Sequence, residues 1–251
     1  MFKGMHIKTL LLFFAFITPT IASATPMFNP IVTLGAGASI EQVGRSQSYQ
    51  PLDICSYHYQ ANASSATRFL GSIFFGSELS LPTTLPLLMD IGLEYNQSST
   101  FTANGTLTQG ADSISANTYA YRYHVQSQQV LIDGKLQWNV FQKFYLYGLV
   151  GLGLAINDVH AYQTNVPMFY EYTPAYSSHR QTNFSYSVGA GIGMPVMDRW
   201  RIGLGYRFTD LGQSNLGKGN INSIPIANTL KQSHLYANEI VAELTYLPFL
   251  K

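Results

Sequence analysis

The chain has 251 residues, 46% of them apolar and only 11% charged, with 17 Tyr, 15 Phe and 21 Gly; a soluble domain carries roughly 25% charged residues. Lys and Arg number 14 against 13 acids, a net charge of +1, which excludes a nucleic-acid binder relying on a basic face. Past the N-terminal leader no uncharged apolar run reaches the roughly 18 residues of a membrane-spanning helix, leaving an aromatic, glycine-rich, charge-poor β protein.

The first element is an address. Lys3 and Lys8 form a positive region ahead of an apolar run over residues 9–17, and Ala22-Ser23-Ala24 supplies the small residues of a cleavage site. That order predicts a secretory signal peptide over residues 1–24 and leaves residues 25–251 as one mature domain. Cys55 is the only cysteine, so no disulfide forms within one chain, and it is assigned no role.

Eight segments then alternate apolar and polar residues with period two, the signal of a strand with unlike faces. They cover residues 31–41, 68–79, 87–96, 129–138, 144–157, 184–194, 200–209 and 235–246, each close to the roughly 9–11 residues that a tilted transmembrane strand needs. In the third, Leu87, Met89, Ile91, Leu93 and Tyr95 oppose Leu88, Asp90, Gly92, Glu94 and Asn96. In the seventh, Trp200, Ile202, Leu204, Tyr206 and Phe208 oppose Arg201, Gly203, Gly205, Arg207 and Thr209. No apolar face carries a charge, as expected where a charge near the bilayer middle costs roughly 2–4 kcal/mol. The charges gather on the other face: Glu41, Arg68, Glu78, Asp90, Glu94, Asp133, Lys135, Arg201, Arg207, Glu239 and Glu243.

The connections alternate in length. Residues 80–86, 139–143 and 195–199 are short; residues 42–67, 97–128, 158–183 and 210–234 are long. Short periplasmic turns and long outer loops belong to outer-membrane barrels. The expected fold is all-β: an eight-stranded antiparallel up-and-down transmembrane β-barrel with long extracellular loops and short periplasmic turns. It would sit in a Gram-negative outer membrane with both termini in the periplasm. Aromatic girdles fit this reading, since amphipathic rings prefer the interface. Trp138, Phe141, Phe144, Tyr145, Trp200 and Tyr246 fall at the periplasmic rim. Tyr95, Tyr123, Phe184, Tyr206 and Phe208 fall at the outer one.

The run Gly203-Leu204-Gly205-Tyr206-Arg207-Phe208-Thr209-Asp210-Leu211-Gly212 resembles the penultimate strand of the OmpA/Opa-like small outer-membrane barrels of Gram-negative bacteria. The Gly-rich stretches Val188 to Gly193 and Gly148 to Leu154 resemble their inner strands. The resemblance covers about residues 27–251. It implies a role in envelope integrity, adhesion or slow solute passage, and a terminal aromatic read by the barrel-assembly machinery. Pro248 and the trailing Leu250-Lys251 leave both Tyr246 and Phe249 as candidates for that signal.

An eight-stranded barrel is just wide enough for side chains to fill. Asp90, Glu94, Lys135, Arg201, Arg207, Glu239 and Glu243 are therefore expected to form a structural polar network in the lumen, with Asp90 near Lys135 and Arg207 near Glu239. Lining charges of a narrow porin-like diffusion channel are the alternative. Tyr57, Tyr59, Tyr119, Tyr121, Tyr170 and Tyr172 are the candidate recognition residues of the loops, because Tyr supplies contact area at low entropy cost. The expected partners are outer-membrane lipid and lipopolysaccharide, the barrel-assembly machinery, and a host-cell surface or another envelope component.

A rim-sited hydrolase, the third reading, needs a base beside a nucleophile. His58, His124, His160, His179 and His234 all fall in or beside outer loops, some near Ser127, Ser178 or Ser233, without a His-x-Ser-Asn signature. No enzyme activity is expected. No cofactor is expected either, and no histidine pair has helical or His-x-His ligand spacing, so no metal site is assigned. The expected role is structural or surface-interacting.

Overall fold

The computed structural model describes residues 29–248 apart from 52–54, 64, 82–86, 112–115, 142 and 167–172. The expected signal peptide, Tyr170, Tyr172 and Phe249 lie outside the described residues. In chain order the strands are β1 (Asn29–Gln42), β2 (Gln47–Tyr49), β3 (Tyr57–Ala61), β4 (Ser65–Ser80), β5 (Leu87–Ser98) and β6 (Phe101–Gln109). Next come the two longest, β7 (Asn117–Phe141) and β8 (Phe144–Thr164), followed by β9 (Ala175–Tyr176), β10 (His179–Met197) and β11 (Trp200–Asp210). The remainder are β12 (Ser214–Asn215), β13 (Gly219–Ile221), β14 (Ile224–Ile226), β15 (Lys231–Gln232) and β16 (Tyr236–Tyr246).

Eight of these close into a ring. The pairing runs β1–β4–β5–β7–β8–β10–β11–β16, and β16 returns to β1 through the register Val32↔Tyr246 to Glu41↔Ala237, every pair antiparallel. Closure satisfies backbone groups that an open edge would leave bare, as a bilayer demands. Cross-strand register is set by the faces, because a slip of one residue would turn every charge outward. Asp90 stands opposite Lys135, and Arg207 opposite Glu239.

The eight strands are those read from the sequence, but β7, β8 and β10 run farther. Residues 97–128 and 158–183, read as connections, contain β6, the top of β7, the end of β8 and the start of β10. Their alternation is weak because they stand above the apolar band, where an outward side chain can be polar. Backbone pairing extends them: β6 continues the path of β5 up β7, and β7 stays paired with β8 to Tyr121↔Thr164.

The outward face is apolar and bare. Phe69 is 64% exposed, Ile132 63% and Phe184 65%. The inward face holds buried Glu41, Arg68, Glu78, Asp90, Asp133, Arg207 and Glu239. Tyr145, expected among the rim aromatics, turns inward instead and packs with Tyr147 and Leu149. Glycine makes room for it. A Cβ at Gly193 would strike the Tyr145 ring, and one at Gly191 or Gly205 would strike Tyr147. Two phenol rings fit in so narrow a barrel because the wall facing them is bare backbone.

The long loops fold into a cap. β3 adds to the free edge of β6 and β2 to β3; β9, β13 and β14 form a small sheet, and β12 pairs with β15. Between them lies an apolar core that includes Val43, Tyr59, Leu107, Leu216, Ile226 and Leu235. Asn157 Nδ2 ties the cap to the barrel by donating to the carbonyls of Leu211 (2.8 Å) and Gln213 (2.7 Å).

Candidate functional site

Two regions carry the chemistry: the lumen and the cap. Inward-facing residues of the eight strands meet across the lumen. Arg207 is the hub. Its Nε donates to Glu239 Oε2 at 2.6 Å, its Nη1 to both carboxylate oxygens of Glu94 at 2.9 Å, and its Nη2 to Asn96 Oδ1 at 3.1 Å. Thr209 Oγ1 also donates to Glu239, at 3.3 Å.

Toward the short-turn end, Lys135 Nζ bonds Glu243 Oε2 at 2.6 Å and lies 4.6 Å from the Tyr147 ring centroid. Below it Arg201 pairs with Glu78, and Gln137 donates to Asp90. Toward the cap, Arg68 pairs with Glu41 at 2.8 Å. Lys135 thus passes over its register partner Asp90 for Glu243 on the far side of the barrel. Of the expected network, Glu94, Arg207 and Glu239 form one group and Lys135 and Glu243 another. Arg201 and Asp90 meet through Gln137, which donates to Asp90 and accepts weakly from Arg201.

These groups fill the interior. The cavities within it measure about 20 Å³ beside Glu94, Asp133 and Lys135, and about 10 Å³ beside Glu41 and Asn96. Each is about the size needed for one water molecule. A larger recess of about 280 Å³ opens below Arg201, bordered by Gln137 and Tyr145.

In the cap, Tyr57, Tyr59, Tyr119 and Tyr121 are all buried. Tyr59 stands in the middle. Its ring stacks on Tyr49 at 5.6 Å, meets Tyr121 edge-on at 5.2 Å, and its hydroxyl is 3.3 Å from that of Tyr162. Burial pushes the phenols of Tyr57 and Tyr121 up to about 12. These rings hold the loops to one another, and what the cap presents outward is mostly polar.

A groove of about 500 Å³ on the cap is lined by Asn62, Asn104, Arg122, Gln163 and Asn165. Arg122 donates through Nε and Nη2 to Gln163 Oε1 at 3.0 and 2.7 Å. Local sequence did not mark this groove, because its residues come from four separate stretches and carry no spacing. Among the described residues no group of three or more His, Cys, Asp or Glu side chains is placed to hold a metal ion.

Residues 9–238 match the family model of the outer membrane protein beta-barrel domain. The chain belongs to that family. It is an outer-membrane β-barrel of Gram-negative type, and its apolar outward band faces lipid. Among solved structures it is similar to the outer membrane protein OprG of Pseudomonas aeruginosa, at 10% identity, over 87% of this chain and 96% of that one, with a TM-score of 0.50. Neisserial surface protein A matches at 12% identity over 90% and 99% of the two chains, with a TM-score of 0.43. The outer membrane protease OmpT of Escherichia coli matches at 11% identity over 91% and 99%, with a TM-score of 0.47. No curated protein sequence matches the chain significantly.

Proposed function

We propose that this barrel neither conducts nor catalyses, and that it is a membrane-anchored scaffold whose work is structural or recognitive and is done by the cap. The observation that carries the reading is the filled lumen: four ion-pair groups and two tyrosines occupy the bore, leaving spaces of about 20 and 10 Å³. Such a bore supports a plug better than a pore. In this reading both chain ends stand in the periplasm, since an even strand number brings them to the short-turn end after export. The cap then faces outward, toward lipopolysaccharide, a host-cell surface or another envelope component. Lipid-facing strands and a terminal aromatic are what the barrel-assembly machinery would read.

The test is conductance of the refolded mature protein in a planar bilayer, beside a cell-attachment assay. The expected result is a silent bilayer together with attachment that depends on the cap. Large, steady, ion-selective openings would replace this reading with the diffusion channel.

A further inference from the structure

Two histidines that lie far apart in the sequence meet on the outer wall between the bilayer and the top of the cap. His124 on β7 and His160 on β8 are direct register partners, with ring centroids 5.6 Å apart and planes at 49°. The strand pair is irregular just there. The register shifts between Arg122 and His124, and Ala161, the residue after His160, has a φ of 56°. That left-handed conformation is uncommon for a side chain other than Gly. A bulge of this kind re-aims the side chain beside it.

The hydrogen bonding of the rings is the second observation. His124 Nδ1 lies 2.9 Å from Thr102 Oγ1. His160 Nδ1 is buried, makes no hydrogen bond, and faces Asp158 Oδ1 at 3.5 Å. His124 Nδ1 is thus hydrogen-bonded to a protein oxygen and His160 Nδ1 stands within ion-pair range of one, while neither Nε2 is hydrogen-bonded to a described group. Metal-bound imidazoles are held this way, one nitrogen on the metal and the other oriented by an oxygen. The His160 side chain is 35% exposed, so the site has a route to solvent.

We propose that His124 and His160 form a two-histidine site for a late first-row divalent cation, Cu²⁺, Ni²⁺ or Zn²⁺, bound through both Nε2 atoms. Imidazole suits these ions. Water fills the remaining coordination positions, and Asp158 and Thr102 orient the rings without being ligands. The site stands independently of what the cap recognises.

The test uses untagged, refolded mature protein in detergent, titrated with Zn²⁺ and Ni²⁺ by calorimetry and with Cu²⁺ by electron paramagnetic resonance. The wild type should bind one ion per chain, with Cu²⁺ coupled to two imidazole nitrogens. His124→Gln and His160→Gln should each leave at most one nitrogen coupling, and the double variant should lose the bound ion. Asp158→Asn should weaken binding roughly tenfold, as loss of an orienting partner does. A triple variant of His58, His179 and His234 to Gln should bind like the wild type. Both histidines point away from the lumen and the cap core, so every variant should keep the gel shift between boiled and unboiled samples. Unchanged affinity in the double variant, loss of binding in the triple variant, or single-nitrogen coupling in the wild type would each overturn the proposal.

Discussion

Arg207 is 4% exposed and donates to two carboxylates and an amide at once. Taking so many charged groups out of water is costly, and only their mutual bonding offsets it. Arg207→Ala would strand Glu94 and Glu239 together in the lumen. We expect it to lower stability by about 3–5 kcal/mol, read from the denaturant midpoint of the refolded barrel. Adding Glu94→Gln and Glu239→Gln should recover part of that loss, since neutral amides cost less to bury. An Arg207→Ala midpoint equal to wild type would show that the network is solvated and weak. At the same scale, Lys135 shows why a register partner is not always an ion-pair partner. Its flexible stem reaches past Asp90 on β5 to Glu243 on β16.

Whole strands show a second kind of fit. Three glycines of β10 and β11, Gly191, Gly193 and Gly205, stand against Tyr145 and Tyr147. Gly205→Ala pushes a methyl group into the Tyr147 phenol, and overpacking of this kind costs about 1–3 kcal/mol. Tyr147→Leu in the same chain should relieve it, so a double-mutant cycle on the unfolding midpoint should show strong coupling. Additive losses would mean that the ring simply moves aside.

The cap strands make a different prediction, on pH. The phenols of Tyr57 and Tyr121 sit at about 12 because burial disfavours the anion, against an ordinary value near 10. Their contribution is intact below about pH 10 and is lost as pH climbs from there through 12. Phenolate absorbance should therefore rise in a late step that coincides with loss of cap protection in amide exchange, while the barrel strands stay protected. A single early phenolate step near 10 would place these rings in water.

For the whole molecule, cap and barrel share β7 and β8 but differ in what holds them. The barrel is closed by pairing of residues 87–97 with residues 128–138 and the rest of the ring, all below the cap. Ala103 and Tyr123 are register partners higher up. Replacing residues 104–122 with Asn-Gly shortens that hairpin without changing its register, and Asn-Gly is a favoured two-residue hairpin turn. The product should keep the heat-dependent gel shift of a closed barrel and lose the aromatic packing around Tyr59. Under the proposed function it should also lose attachment while bilayer conductance stays silent. Equal attachment with altered envelope permeability would leave a purely structural role. Loss of the gel shift would mean that barrel and cap fold as one unit.

The strand number, strand bounds at Leu87, Phe144, Trp200 and Tyr246, and the inward face of the strand charges were legible in the sequence, whereas the inward turn of Tyr145 was not. Lipid excludes charge from one side of every strand and a narrow lumen collects it on the other, so a period of two records the fold residue by residue. Strand ends were enough to set Arg207 opposite Glu239. The partners across the lumen were not legible, because periodicity tells which way a side chain points and not which of several inward groups it meets. Nor was the cap, whose core joins Val43, Tyr59, Leu107, Tyr176 and Leu216 from four separate loops. Tyr57, Tyr59, Tyr119 and Tyr121 read locally as recognition residues of the loops; tertiary packing buries them. The His124–His160 pair depends on β7 and β8 staying paired well above the apolar band, where alternation fades and only backbone hydrogen bonding carries the strands upward.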